Sequence, residues 1–366
     1  MEPWVEPVLL PVGFVAASAV AHLLIVWTQN KTLMSPVPTV HLLAKWDGGI
    51  YLRLALQGYP SKIPIRHGHY LASTLGFYPL YPLVVRAVYT VSPWNILTSG
   101  LVVALTFTVA AALTFWQLTA RLVDRSVANR SVALLLFAPG AVVLSMTYSE
   151  PMFLLLACGC LWALGERRWI LAGGSAFLAC LARPNAIALV AACAVAAVIA
   201  IRRRREWRAL SAPLLSIAGF AALPIYDRIH TGDALAYWRT QRDASDQGFD
   251  FGAHTVRSIG KVLAHPAHDF NLLMSVLAIV VIAVGLVLMA YWKPPAEIFA
   301  YTIVILVLAL TSTTLTSTFR FEMTAFPLTI AYARVLRKEA FTAAIALSVV
   351  LFAMAAAGAV TVLYTP

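Results

Sequence analysis

Charge, and acidic charge above all, is what this sequence has little of. Only 12% of its 366 residues are charged, with 16 acids against 27 lysines and arginines, where soluble domains run to about one quarter charged. A chain so poor in charge cannot cover a soluble surface. Hydrophobic residues make up 61% and the mean hydropathy is +0.81, so the composition is that of a polytopic membrane protein. No polar stretch is long enough for a separate soluble domain, and residues 1–366 read as one membrane domain. There are only four cysteines, Cys158, Cys160, Cys180 and Cys193, all inside apolar runs. They behave as small hydrophobes and suggest neither a disulfide framework nor a metal site. His67 and His69 alternate and His265 and His268 lie three apart, but no carboxylate or cysteine completes a diagnostic ligand spacing. No metal and no cofactor are expected. A cleavable leader is missing too: the apolar segment 7–28 is longer than a signal-peptide core and has no small-residue cleavage site, so it reads as a first span. The formal charge of +11 does not suggest nucleic acid, because the arginines are scattered at helix ends rather than gathered on a soluble face.

What is present in quantity is apolar sequence. Windows of about 20 residues place spans at 7–28, 96–120, 131–148, 150–165, 169–182, 184–201, 209–229, 270–292, 296–317, 321–336 and 340–363. These predict an all-α protein of about eleven transmembrane helices. Several are near 15 residues, too short for a ~30 Å hydrocarbon core, and such helices usually border a water-filled cavity. Residues 77–92 carry two prolines and Arg86. Treating them as interfacial puts Arg121–Arg130, Arg167, Arg168, Arg202–Arg208, Lys293 and Arg334–Lys338 on the cytoplasmic side, as the positive-inside rule requires.

That topology makes 29–95 a first external loop and 230–269 a second. Asp47, Glu150, Asp227, Asp233, Asp243, Asp246, Asp250, Asp269 and Glu322 then share the outer side. In the first loop, Lys45-Trp46-Asp47-Gly48 precedes the helix-permissive segment 50–57, which Gly58 would end. Asp47 reads equally as a helix cap or as a functional carboxylate. Trp46 beside it and the chain-opening glycines 48 and 49 favour function. Ser149-Glu150-Pro151 has the ordinary form of a helix start, with Ser149 as cap, and leaves Glu150 as a second carboxylate at the outer face. Arg183, Asn185 and Arg320 sit between apolar runs. Snorkelling arginines are common there, yet arginine also binds phosphate oxygens in a bidentate way.

These residues form a pattern. Trp46-Asp47-Gly48, Tyr51, Gly58-Tyr59 and Phe77-Tyr78-Pro79-Leu80-Tyr81-Pro82 are followed by Tyr148-Ser149-Glu150, Arg183-x-Asn185, Thr231-Gly232-Asp233 through Gln241, and Arg320 ahead of Phe326-Pro327. The order resembles that of the PIG-V-like mannosyltransferases, GPI mannosyltransferase II and its bacterial relatives. The resemblance implies a GT-C glycosyltransferase fold with interfacial helices in the first external loop, a polyprenyl-phosphate sugar as donor, typically mannose, and inversion at the anomeric carbon. It makes Asp47 the general base, with Glu150 as the alternative. Lys45, Arg183, Asn185 and Arg320 are then candidates for donor phosphate, and Trp46, Gly48, Tyr51, Tyr78, Tyr148 and Asp233 for the substrate cavity. Residues 60–76 depart from the pattern in being basic, so the acceptor stays open among glycolipid, mannan and protein. The Ala- and Arg-rich composition suggests a high-GC bacterium and a plasma membrane with the active face outside. A transporter or lipid flippase would also have many spans. It would usually show paired repeats and midplane charges, neither of which is visible in this sequence. A non-catalytic partner of another glycosyltransferase is the third reading, and the retained Asp47 argues against it.

Overall fold

The computed structural model describes residues 5–33, 35–245, 247–265, 269–313, 315, 318–361 and 363–365. Asp246 and His268 lie outside these. Among the described residues the chain is mostly helical, with one two-stranded hairpin, Ile65–Arg66 with His69–Tyr70, and an isolated bridge between Phe249 and Ser312. Among the described residues, six helices are long and apolar enough to cross a membrane: Pro7–Asn30, Ile96–Leu122, Pro184–Arg204, Trp207–Thr231, Phe270–Trp292 and Lys338–Thr361. A bent pair, Arg125–Leu136 with Pro139–Ser145, makes up to seven. Glu150–Gly165, Trp169–Ala182 and Ala296–Leu310 are apolar but shorter. Each of the eleven expected segments is therefore helical, but the count of eleven full crossings is not reproduced.

Two segments expected to be continuous are broken, both at proline. The segment 131–148 turns by 80° between Leu136 and Pro139. Pro139 pushes Ala138 into extended backbone, φ −63° and ψ 149°, because its ring excludes the helical conformation from the preceding residue. Gly140 completes the corner. A Cβ there would lie 2.3 Å from the carbonyl oxygen of Phe319 and 2.9 Å from the amide nitrogen of Arg320, so only glycine lets the corner press on the backbone that carries Arg320. The segment 321–336 divides likewise into Thr318–Thr324 and Pro327–Val335. Both breaks leave helix ends inside the bundle, where Ala138 and Phe326 are buried.

The segment expected to be interfacial, 77–92, holds a short helix over Leu80–Val91. Its 12 residues extend only about 18 Å, too little to span. Around the bundle the helices present Leu24, Leu214, Ile217, Val280 and Leu347 outward, the apolar exterior expected against lipid. Ile96–Leu122, Glu150–Gly165 and Trp169–Ala182 pack successively side by side, and Ser211–Thr231 closes against the last of them.

Candidate active site

The WDG sequence forms a tight turn entering the Asp47–Gln57 helix. Trp46 has φ 58° and ψ −129°, a conformation rare outside glycine, and the amide of Gly48 closes the turn on the carbonyl of Lys45 at 3.2 Å. No side-chain hydrogen bond caps this helix. The cap reading of Asp47 is thus not realised, and its carboxylate is used elsewhere. The turn is pinned by Gly48, where a Cβ would lie 2.5 Å from Thr147 Oγ1. Gly48→Ala is expected to displace Asp47 and reduce thermal stability by ~1–3 kcal/mol, the usual range for an overpacked site. Adding Thr147→Ala should restore much of that loss. A double variant no more stable than the single one would place the contact elsewhere.

Four charges meet at one end of the bundle. Arg320 Nη1 donates to Asp47 Oδ2 at 2.9 Å, and its Nε lies 3.3 Å from Glu150 Oε1. Arg183 Nη1 lies 2.6 Å from the same Glu150 oxygen and donates to Ser149 Oγ at 3.1 Å. Two carboxylates and two guanidiniums leave the cluster neutral, which is what burial of such groups demands. The side chain of Glu150 is 0% exposed, whereas that of Asp47 is 34% exposed. The resemblance favours Asp47 and leaves Glu150 as the alternative, and the surroundings of the two carboxylates differ in the same sense. Ser149, expected as a helix cap, has helical backbone and makes no cap bond. Its hydroxyl instead joins Arg183 to the Tyr51 hydroxyl at 2.7 Å. Burial, partly offset by Arg183, pushes the Tyr51 phenol up to about 12, so it stays neutral. The Tyr148 ring lies beneath the Arg320 guanidinium, 5.8 Å from its centroid, in cation–π contact.

Above this cluster opens a cavity of about 570 Å³. Asp47, Tyr51, Tyr78, Arg183, Asn185 and Arg320 line it, together with Arg53, Tyr237, Thr240 and Gln241. The buried amide nitrogen of Asn185 has no partner among the described residues and is thus available as a donor in the wall. The remaining expected residues lie off the cavity. Lys45 Nζ donates to the Val360 carbonyl at 2.7 Å and Trp46 Nε1 to that of Ala359 at 3.2 Å. Gly48 and Tyr148 form the support behind Asp47 and Arg320. Asp233 belongs to a strap between the segments 29–95 and 230–269. Its Oδ2 accepts from Tyr70 Oη at 2.6 Å and from Arg239 at 2.9 Å. Burial tends to raise the Asp233 pKa, but the bonds from Tyr70, Leu235 and Arg239 outweigh it and hold the carboxyl below its ordinary value. The strap continues through Tyr70 N–H to Asp243 Oδ2 at 3.0 Å and Gln241 Nε2 to the Gly76 carbonyl at 2.6 Å.

Tyr70→Phe is expected to loosen residues 65–76 by about 1 kcal/mol, read as faster amide exchange there with no change at residues 150–165. Because the native pKa of Asp233 is depressed, its contribution is complete above the ordinary carboxylate range and fades as pH falls through the native value. Protection of 65–76 should follow the same acid limb.

Arg53, Tyr237 and Gln241 were not singled out in the sequence as cavity residues. Arg53 could have been found from helical spacing, since positions 47, 50, 53 and 57 fall on one face. Tyr237 and Gln241 reach the cavity only because the second loop folds over the first.

The helical bundle with its broken spans has the GT-C fold, and together with the family match given below it supports a membrane glycosyltransferase. Two crystal structures of ArnT from Cupriavidus metallidurans share the fold, one bound to undecaprenyl phosphate and one in the apo state. Each superposes with a TM-score of 0.51 over 96% of this chain and 76% of the ArnT chain, at 12% and 13% identity respectively. Residues 39–217 match the family described as Mannosyltransferase (PIG-V). That region contains the WDG turn, Glu150, Arg183 and Asn185, while Arg320 and the second loop lie beyond it. No curated protein matches the sequence.

Proposed function

We propose that the chain transfers mannose from a polyprenyl-phosphate donor to an acceptor hydroxyl, with inversion, at the extracytoplasmic face of the plasma membrane. The observation that carries this reading is the unequal exposure of the two carboxylates: Asp47 faces the cavity, and Glu150 is sealed behind the arginines. A general base must reach the proton it removes. Asp47 takes the proton of the acceptor hydroxyl as that oxygen bonds to C1 of the sugar. The bond from C1 to the phosphate oxygen breaks, and the lipid phosphate leaves with the electron pair. Arg183 and Arg320 stabilise its charge, and Asn185 donates beside them. Glu150 holds both guanidiniums in place. Tyr51 and Tyr78 shape the cavity wall, while Trp46, Gly48 and Tyr148 fix the turn and Arg320 from behind. The undecaprenyl phosphate bound to ArnT supports a polyprenyl-phosphate donor for this chain.

The test is product analysis in membranes containing the protein, given radiolabelled polyprenyl-phosphomannose and extracted lipids. Transfer of label to a lipid, polysaccharide or protein fraction is expected. Absence of transfer with the mannosyl donor, together with transfer from another polyprenyl-phosphate sugar, would correct the sugar alone. Absence with every such donor would overturn the reading.

A further inference from the structure

The end of the last long helix, Lys338–Thr361, lies directly beneath the catalytic turn. Like any helix C-terminus it carries carbonyl groups with no partner inside the helix and a partial negative charge. Three consecutive carbonyls here are occupied. That of Gly358 accepts from the amide of Tyr364 at 3.1 Å, as the chain folds back on itself. That of Ala359 accepts from Trp46 Nε1 at 3.2 Å, and that of Val360 from Lys45 Nζ at 2.7 Å. The ammonium of Lys45 therefore completes a helix end more than 300 positions later in the chain. The fold-back also seals Tyr364. Its side chain is 1% exposed, and its phenol lies within the electrostatic reach of Arg320 and Glu322. Gly358 makes the return possible, since a Cβ there would lie 2.8 Å from that of Tyr364.

Asp47, through the two residues that precede it, is thus referenced to this helix end. Trp46 is the strained residue of the turn: φ 58° and ψ −129° are unfavourable for a residue with a side chain and persist only where the surroundings hold them. The two bonds to Ala359 and Val360 are that restraint, with the Gly48–Thr147 contact on the other side. We propose that the C-terminal end of the last helix is a template for the catalytic turn, and that Lys45 and Trp46 are positioning residues. They set the direction of Asp47 and do not touch substrate.

This inference rests on the transferase reading, so its test has one arm that does not. In the full-length protein, Lys45→Met and Trp46→Phe should each speed amide exchange over residues 46–50, while Lys45→Arg, which keeps the cation, should not. Unchanged exchange in both loss variants would overturn the proposal. The second arm is kinetic. Misdirecting a base by about 1 Å costs on the order of 100-fold, so kcat should fall between tenfold and 100-fold in Lys45→Met, with donor KM within about twofold of wild type. Lys45→Arg should recover most of it. A rise in donor KM with kcat preserved would instead make Lys45 a phosphate ligand and sink the template. Faster exchange in the variants of a wild-type protein that transfers nothing would leave the template standing and reject only the transferase reading.

Discussion

An Asp47→Asn protein is expected to fold, to bind donor as wild type does, and to lose transfer by about 10²–10⁴-fold, the contribution typical of a positioned general base. The amide keeps an oxygen for the Arg320 guanidinium, now 2.9 Å from Asp47 Oδ2, so the helix Thr318–Thr324 has no cause to move. What is lost is the capacity to take a proton. The measurement is a single-turnover rate with bound labelled donor, alongside a thermal melt. Transfer near the wild-type rate would remove Asp47 from the role of base. A melt lowered by more than a few degrees would mean that the loss reports on folding instead. Glu150→Gln separates the two carboxylates further. Glu150 lies behind both arginines with 0% exposure, so its loss should act through Arg183 and Arg320, weakening donor binding and stability together.

The other large effect is expected at Arg320. One guanidinium spans two acids, through Nη1 to Asp47 and through Nε toward Glu150. A lysine ammonium is a single point of charge and cannot occupy both directions. Arg320→Lys should therefore cost nearly as much as Arg320→Ala. Breaking a buried pair by removing one partner typically costs ~3–5 kcal/mol, because the charge left behind has no compensation. Glu150 retains Arg183, and Asp47 retains contact with the cavity, so the loss should fall at the low end of that range. The functional signature is a donor KM raised at least about tenfold, the equivalent of one lost charge-assisted hydrogen bond to phosphate, with acceptor preference unchanged. A donor KM equal to wild type would remove Arg320 from phosphate binding.

The hydrophobic runs made the all-α membrane class legible, because a helix that meets lipid must be apolar along its length. They could not mark the corners. A window average registers Ala138, Pro139 and Gly140 as apolar, although Pro139 breaks the helix and Gly140 admits the Arg320 backbone. The site was legible as a set of residue types: Asp47, Glu150, Arg183 and Arg320 stood out because charge beside hydrocarbon is costly. Their pairing was not. Asp47 and Arg320 are 273 positions apart, and no local pattern relates them. Lys45 shows the limit most plainly. As a cation next to a functional aspartate it reads as a phosphate ligand, and only the packing of the last helix under the first loop turns it toward Val360.

The cavity has two walls of different origin. The charged floor is carried by helix ends locked into the bundle, whereas Thr240 and Gln241 come from a loop that reaches it over the Tyr70–Asp233 strap. On the proposed reading, selectivity and chemistry are separable inheritances. Exchange of the segment 233–245 between relatives is then expected to redirect transfer to a new acceptor while Asp47 and the arginines beneath it keep their contacts.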